Sequence, residues 1–147
     1  MVGTHSGIAM GFYGTSHHCC EDIALLRAIA NLTVMAPCDA NAIRAAIPAM
    51  LDHDGPVYVR AGRGREVPVY DRPPGWTRGG SHLLRDGSHA TIFAIGNLVK
   101  ASLDAHDILA REGIGLRVVD LYSIKPIDTV TLLRCLRAAA PARSTSR

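Results

Sequence analysis

Hydrophobic positions in this chain come in short blocks whose spacing alternates between two periods. Residues 21–30 carry Ile23, Leu26 and Ala30 at helical spacing, which predicts a helix with one apolar face. Residues 32–36 are a continuous apolar run of strand length, suited to a strand buried on both faces, and Pro37 stops it. Asp39 stands where a helix cap is expected, before a predicted helix over 40–53 with Ile43, Ile47, Met50 and Leu51 on its inner face. Pro48 falls inside that helix, where a proline costs about 3 kcal/mol or forces a kink. Gly55 and Pro56 end it. Residues 57–60 and 90–95 predict strands, and 98–112 predict a helix with Leu98, Ala101, Ala105, Ile108 and Leu109 inward. Residues 116–121 predict another strand, and Asp128 caps a last helix bearing Leu132, Leu133 and Leu136. Strands alternating with helices predict an α/β fold of βαβ units with mainly parallel sheets.

Two stretches break the alternation. Residues 3–16, rich in Gly, Ser and Thr, read as a loop. Between Gly62 and Gly80 glycine, proline and arginine dominate, with Asp71-Arg72-Pro73-Pro74-Gly75 as a breaker cluster. The expected organisation is therefore two incomplete α/β subdomains, residues 1–62 and 81–147, joined by a Gly/Pro/Arg-rich linker over 63–80. No strand signal follows the last helix, so the second unit is expected to lack part of its sheet. Such a unit exposes an edge and an apolar face, which predicts self-association or poor solubility.

Composition narrows the function classes. The 147 residues are 48% hydrophobic and 20% charged, which excludes a disordered chain. No apolar run reaches the ~18 residues of a membrane span, and the first residues show no signal-peptide pattern. The net charge of +3 comes from the end of the sequence. Without Arg134, Arg137, Arg143 and Arg147, 12 basic face 13 acidic residues. That is no basic stripe, and 5% aromatics offer few stacking platforms, so a nucleic-acid partner is not expected. Four cysteines without a C-x-x-C pair fit a reduced, cytoplasmic chain.

Candidate chemistry concentrates in residues 4–22, which hold three histidines, two cysteines and the pair Glu21-Asp22. His5 and His17 read either as ligands beyond a strand end or as solvent-exposed loop histidines. His17, His18, Cys19 and Cys20 are adjacent, which does not suit tetrahedral placement around one ion, and no metal site is expected. Glu21-Asp22 opens a helix, where acidic groups favour the dipole, with acid–base work as the other reading. Arg60-Ala61-Gly62-Arg63-Gly64-Arg65 leaves a strand and reads either as a phosphate loop or as a solvated linker.

In order along the chain stand Thr4-His5-Ser6-Gly7-Ile8, Gly11-Phe12-Tyr13-Gly14-Thr15-Ser16-His17-His18 and Glu21-Asp22-Ile23. Gly55-Pro56-Val57-Tyr58-Val59-Arg60, Arg117-Val118-Val119-Asp120 and Ser123-Ile124-Lys125-Pro126-Ile127-Asp128 follow. This succession resembles the transketolase family over about residues 2–136. It looks closest to the split or C-terminal-section members, with 1–62 as the later part of a pyrimidine-binding domain and 81–147 as the start of a C-terminal domain. The resemblance implies transfer of a two-carbon ketol unit between sugar phosphates with thiamine diphosphate and Mg²⁺. It implies that His5 and His17 line the substrate channel and assist proton transfer, and that Arg60 holds the substrate phosphate.

Departures from the family pattern sharpen the expectation. Tyr13 replaces an aspartate that contacts a substrate hydroxyl, His18 replaces glutamine, and Ala30 stands where many members have proline. The glutamate that activates the thiamine pyrimidine precedes the Thr-His motif in the family, and the glutamates here are Glu21, Glu66 and Glu112. The G-D-G motif for diphosphate and Mg²⁺ does not occur in the sequence. The chain alone is therefore expected to be inactive. It is expected to work with a thiamine-binding partner subunit or by self-association; a non-catalytic interaction subunit or an inactive gene fragment are the other readings.

Overall fold

The computed structural model describes residues 1–139; the polar end of the sequence, with Arg143 and Arg147, lies outside them. In chain order the elements are β1 (Val2–Gly3), α1 (Asp22–Ala28), β2 (Thr33–Met35), α2 (Ala40–Leu51), β3 (Val57–Arg60), β4 (His82–Arg85), β5 (Ala90–Ala94), α3 (Leu98–Ala110), β6 (Leu116–Asp120), β7 (Ser123–Lys125) and α4 (Thr129–Ala139). The stretch expected as a loop before α1 contains the short β1 and a 3-10 segment, Gly11–His17, interrupted at Gly14.

Two sheets result. One has the order β1-β3-β2-β7, the other β4-β6-β5. β1, β3 and β2 run parallel, as do β5 and β6. Two pairings depart from the parallel pattern. β4 lies antiparallel on β6, and β7 returns across the molecule to lie antiparallel on β2. The first sheet is thus built from both halves of the sequence. β4 carries little local signal, because it lies just past the Gly/Pro cluster and alternates only weakly.

The strands bury as the apolar runs require. Val34, Val118 and Val119 are fully buried, each contributing about 1.5–3 kcal/mol by leaving water. Ile23 and Leu26 of α1 pack on Leu32, Val34, Tyr58 and Ile124. A second cluster joins Cys38 and Ala42 to Ala94 and Val99, with Val69, Tyr70 and Trp76 packed against it. The interunit stretch therefore contributes to the core.

Three helices are turned relative to expectation. In α2 the buried residues are Ala42 and Ala46, while Ile47 and Leu51 are 46% and 80% exposed. In α3 Val99, Ser102 and Leu103 are buried, whereas Leu98 and Ile108 face outward. In α4 Cys135 is buried and Leu133 and Leu136 are exposed. These helices carry apolar residues on more than one side, so periodicity alone cannot choose the face; small side chains let the helices sit close to the sheets. Among the described residues no helix is long and apolar enough to cross a membrane.

Candidate functional site

The parallel strands β1, β3 and β2 present their carboxyl ends together, where open α/β sheets gather ligands. The segments leaving them are cross-linked. His5 N–H donates to the Gly62 carbonyl at 3.1 Å and Ser6 N–H to the Ala61 carbonyl at 3.3 Å. Gly7 and Cys19 exchange backbone hydrogen bonds of 2.9 and 3.0 Å, which ties the His5 segment to the one carrying His17.

His5 has φ 61°, a left-handed conformation uncommon for a side-chain-bearing residue. Thr4 Oγ1 lies 2.9 Å from its Nδ1, so Nε2 is the nitrogen left for a ligand. An open cavity of about 320 Å³ lies beside it, lined also by Ile43, Gly62, Arg63 and Glu66. His17 stands outside that lining. Its Nδ1 is 2.9 Å from Ser16 Oγ, and its ring lies 5.0 Å from that of Tyr13, which stacks on Phe12 at 4.4 Å. The structure therefore brings His5 to Arg63, and His17 to Tyr13, on two tied segments.

Arg60, expected to hold a phosphate, is occupied within the fold. Its Nε donates to Asp22 Oδ2 at 2.8 Å and a terminal nitrogen to the Cys19 carbonyl at 3.4 Å. Tyr58 donates to the same Oδ2 at 2.8 Å. Burial works to raise the Asp22 pKa, but the hydrogen bonds from Arg60 and Tyr58 outweigh it and hold the carboxyl below the ordinary 3.8. Burial, with the Asp22 bond behind it, pushes the Tyr58 hydroxyl up to about 12. Of the acidic pair that opens α1, Asp22 thus anchors β3 to the helix start.

The loop after β3 holds its own anion. Glu66 accepts from the backbone N–H of Arg63 at 2.7 Å and of Gly64 at 2.9 Å. A Cβ at Gly62 would meet that carboxylate, so a larger residue there would displace Glu66 from these donors. The backbone donors that could have cradled a phosphate are taken, and the loop offers instead the guanidinium groups of Arg63 and Arg65. Neither has an ion-pair partner among the described residues. The arginine-glycine run stands out in the sequence without distinguishing its arginines; the deciding signal, a carboxylate at position 22, lies 38 residues upstream of Arg60.

A second polar group is buried between the units. Tyr70 donates to Asp120 Oδ2 at 2.7 Å, and its oxygen lies 2.8 Å from His82 Nδ1. Cys38 Sγ donates to the same carboxylate at 3.5 Å. Burial pushes the Asp120 carboxyl up to about 6 despite these bonds, lowers the His82 pKa, and, together with the Asp120 charge, raises those of Cys38 and Tyr70. The Arg117–Asp120 motif marks one member, but no sequence signal joins it to Cys38, Tyr70 and His82, which come from three other segments.

The family model for the transketolase pyrimidine-binding domain matches residues 1–66, and that for the transketolase C-terminal domain matches 79–140. The chain belongs to the transketolase family. A 6-deoxy-6-sulfo-D-fructose transketolase subunit of Clostridium sp. (strain MSTE9) is 40% identical over 134 residues, covering 91% of this chain and 42% of the relative. An apulose-4-phosphate transketolase subunit of Phocaeicola vulgatus is 37% identical over 129 residues, covering 87% of this chain and 41% of the relative. A solved split-gene transketolase, an inactive β4 tetramer, superposes with a TM-score of 0.84 at 36% identity, covering 93% of this chain and 44% of that one. This transketolase chain thus spans about two-fifths of the length of the relatives it matches.

The transketolase family implies thiamine diphosphate and a divalent metal. The described residues do not fit that cofactor by themselves. No three of their His, Cys, Asp or Glu side chains are grouped to hold a metal ion. Glu66 is bound within its loop, Glu21 is an exposed residue that accepts from the Cys20 N–H, and Glu112 follows α3. The polar groups left open at the strand ends are imidazole nitrogens and an unpaired guanidinium.

Proposed function

We propose that this chain supplies the sugar-phosphate side of a thiamine diphosphate-dependent ketol-transfer site, completed by a thiamine-binding partner subunit or by further transketolase segments. The observation that carries this reading is the placement of His5 and Arg63 on one cavity at the strand ends of the pyrimidine-binding-type sheet. His5 and His17 bind substrate oxygens and relay protons through the ring nitrogens not held by Thr4 and Ser16. Arg63, rather than the internally paired Arg60, holds the terminal anion of the sugar. Tyr13 places a phenol, which donates as well as accepts, where the family has an acceptor-only carboxylate, so the substrate group there need not be a hydroxyl donor. Relatives named for a sulfosugar and for a sugar phosphate support an anion-ended sugar as the substrate class. The four free thiols suit a reducing, cytoplasmic compartment.

The test is steady-state ketol transfer by the assembled enzyme that contains this chain. His5→Ala and His17→Ala should each lower kcat by about 10²–10⁴-fold, the range for loss of a proton-transfer group. Wild-type rates in both variants would refute the assignment.

A further inference from the structure

A second open cavity, of about 420 Å³, shares Arg63 and Glu66 with the first and lies between the loop after β3 and the first turns of α3. That is the size of a small-molecule site, too large for a bare tetrahedral anion. Its polar lining has a distinct pattern. Arg63, Arg65 and Lys100 supply positive charge, Glu66 and Asp104 supply carboxylates, and Asn97 adds an amide. Three cations against two anions leave a net positive wall.

The two kinds of group have different capacities left. Arg65 is exposed and without an ion-pair partner among the described residues. Lys100 is paired with Asp104 one helical turn away, which uses one of its three donors. Asn97 precedes α3 without closing it by a side-chain hydrogen bond, so its amide is available. Carboxylates accept from hydroxyl groups, and cations beside them attract a phosphate; a site carrying both recognises a molecule carrying both.

We propose that this cavity is a second ligand site for a small phosphorylated polyhydroxy compound. Arg65 and Lys100 hold the phosphate, and Asn97, Asp104 and the remaining lone pairs of Glu66 take hydroxyl groups. The site uses neither His5 nor His17 and shares Arg63 and Glu66 with the other cavity, so His5→Ala separates the two.

The experiment is calorimetric titration of the 147-residue chain with glycerol 3-phosphate, inorganic phosphate and glycerol at fixed ionic strength. Saturable binding that depends on Arg65 and Lys100 is expected for glycerol 3-phosphate, weaker binding for inorganic phosphate, and none for glycerol. Arg65→Gln and Lys100→Gln should each weaken glycerol 3-phosphate binding by about tenfold or more, the worth of a charge-assisted hydrogen bond. Both lie at the surface or half-buried, and unchanged circular dichroism checks that each variant folds. His5→Ala should keep the Arg65- and Lys100-dependent binding. Absence of saturation, or full affinity in both Arg65→Gln and Lys100→Gln, overturns the site. Loss of binding in His5→Ala places the ligand in the other cavity and also overturns it. Equal affinity for inorganic phosphate and glycerol 3-phosphate rules out the polyhydroxy part of the assignment.

Discussion

Arg60 and Arg63 sit three positions apart where β3 ends, and their surroundings differ. The Arg60 side chain is 13% exposed against an Asp22 side chain at 8%, so this is a largely buried pair with a second donor, Tyr58, on the same oxygen. Removing one partner of such a pair leaves an uncompensated charge and costs about 3 kcal/mol or more. Arg60→Met should therefore lower stability by that amount in denaturant titration. Arg63→Ala should leave stability within about 0.5 kcal/mol and raise KM for phosphorylated sugars in the assembled enzyme. If instead Arg60→Met raised KM at unchanged stability, the roles would be reversed. The sequence marks both arginines, but strand-end position cannot separate them. The partner that distinguishes them is brought in by tertiary folding.

Asp120 carries a pH dependence of its own. It is fully buried, with Tyr70, Cys38, Asp39 and His82 around it. A folded-state carboxyl pKa of about 6 lies above the ordinary 3.8, so the folded state holds the proton more tightly than the unfolded state does. The stability this provides is complete below about pH 4 and lost as pH rises through about 6, a change of about 3 kcal/mol. Asp120→Asn should remove that slope from a stability–pH profile measured by thermal unfolding. Asp22 acts in the opposite sense. Its depressed pKa gives stability that is present at neutral pH and lost on acidification, so the two contributions separate at the two ends of the profile.

Among the elements, β2, β3, β5 and β6 and all four helices are legible from apolar runs and caps, because those signals are local. The Asp39 cap is the clearest case. Its Oδ1 accepts from the Ala42 N–H at 2.7 Å, as the position before α2 predicts. Its Oδ2 does something no local pattern indicates, accepting from the backbone N–H of Val69 and Tyr70 at 2.7 and 2.9 Å. One carboxylate thus caps a helix and holds the stretch between the units against it. Asp39→Ala should cost about 4 kcal/mol or more, the sum of a lost cap and two lost charge-assisted bonds. Hydrogen exchange at the Val69 and Tyr70 amides should accelerate with it. Unchanged protection at those two amides would contradict the double role. The helix faces are less legible, since α2 buries Ala42 and Ala46 and α3 buries Val99, Ser102 and Leu103, while Ile47, Leu51, Leu98 and Ile108 stay outside.

Across the whole molecule, the ordered motifs make the family readable, and the two domain matches at 1–66 and 79–140 follow the same order. What the sequence does not disclose is how the halves join. β7 completes the first sheet from the second half, and Tyr70 and Trp76 pack into the core from the stretch between. These are long-range contacts whose signals lie far apart in the sequence. Outward aliphatic residues on α2, α3 and α4, Leu51, Leu98, Ile108 and Leu136 among them, leave apolar side chains exposed. On this account the chain is the substrate-side portion of a composite enzyme. The direct measurement is ketol transfer from a ketose phosphate to an aldose phosphate, with thiamine diphosphate and Mg²⁺ present throughout. It is made with the 147-residue chain alone and again after adding a thiamine-binding transketolase subunit. The account predicts no turnover from the chain alone and saturable turnover on addition that is abolished in His5→Ala. Enzyme-like turnover by the chain alone, or turnover by the mixture that ignores His5→Ala, would contradict it.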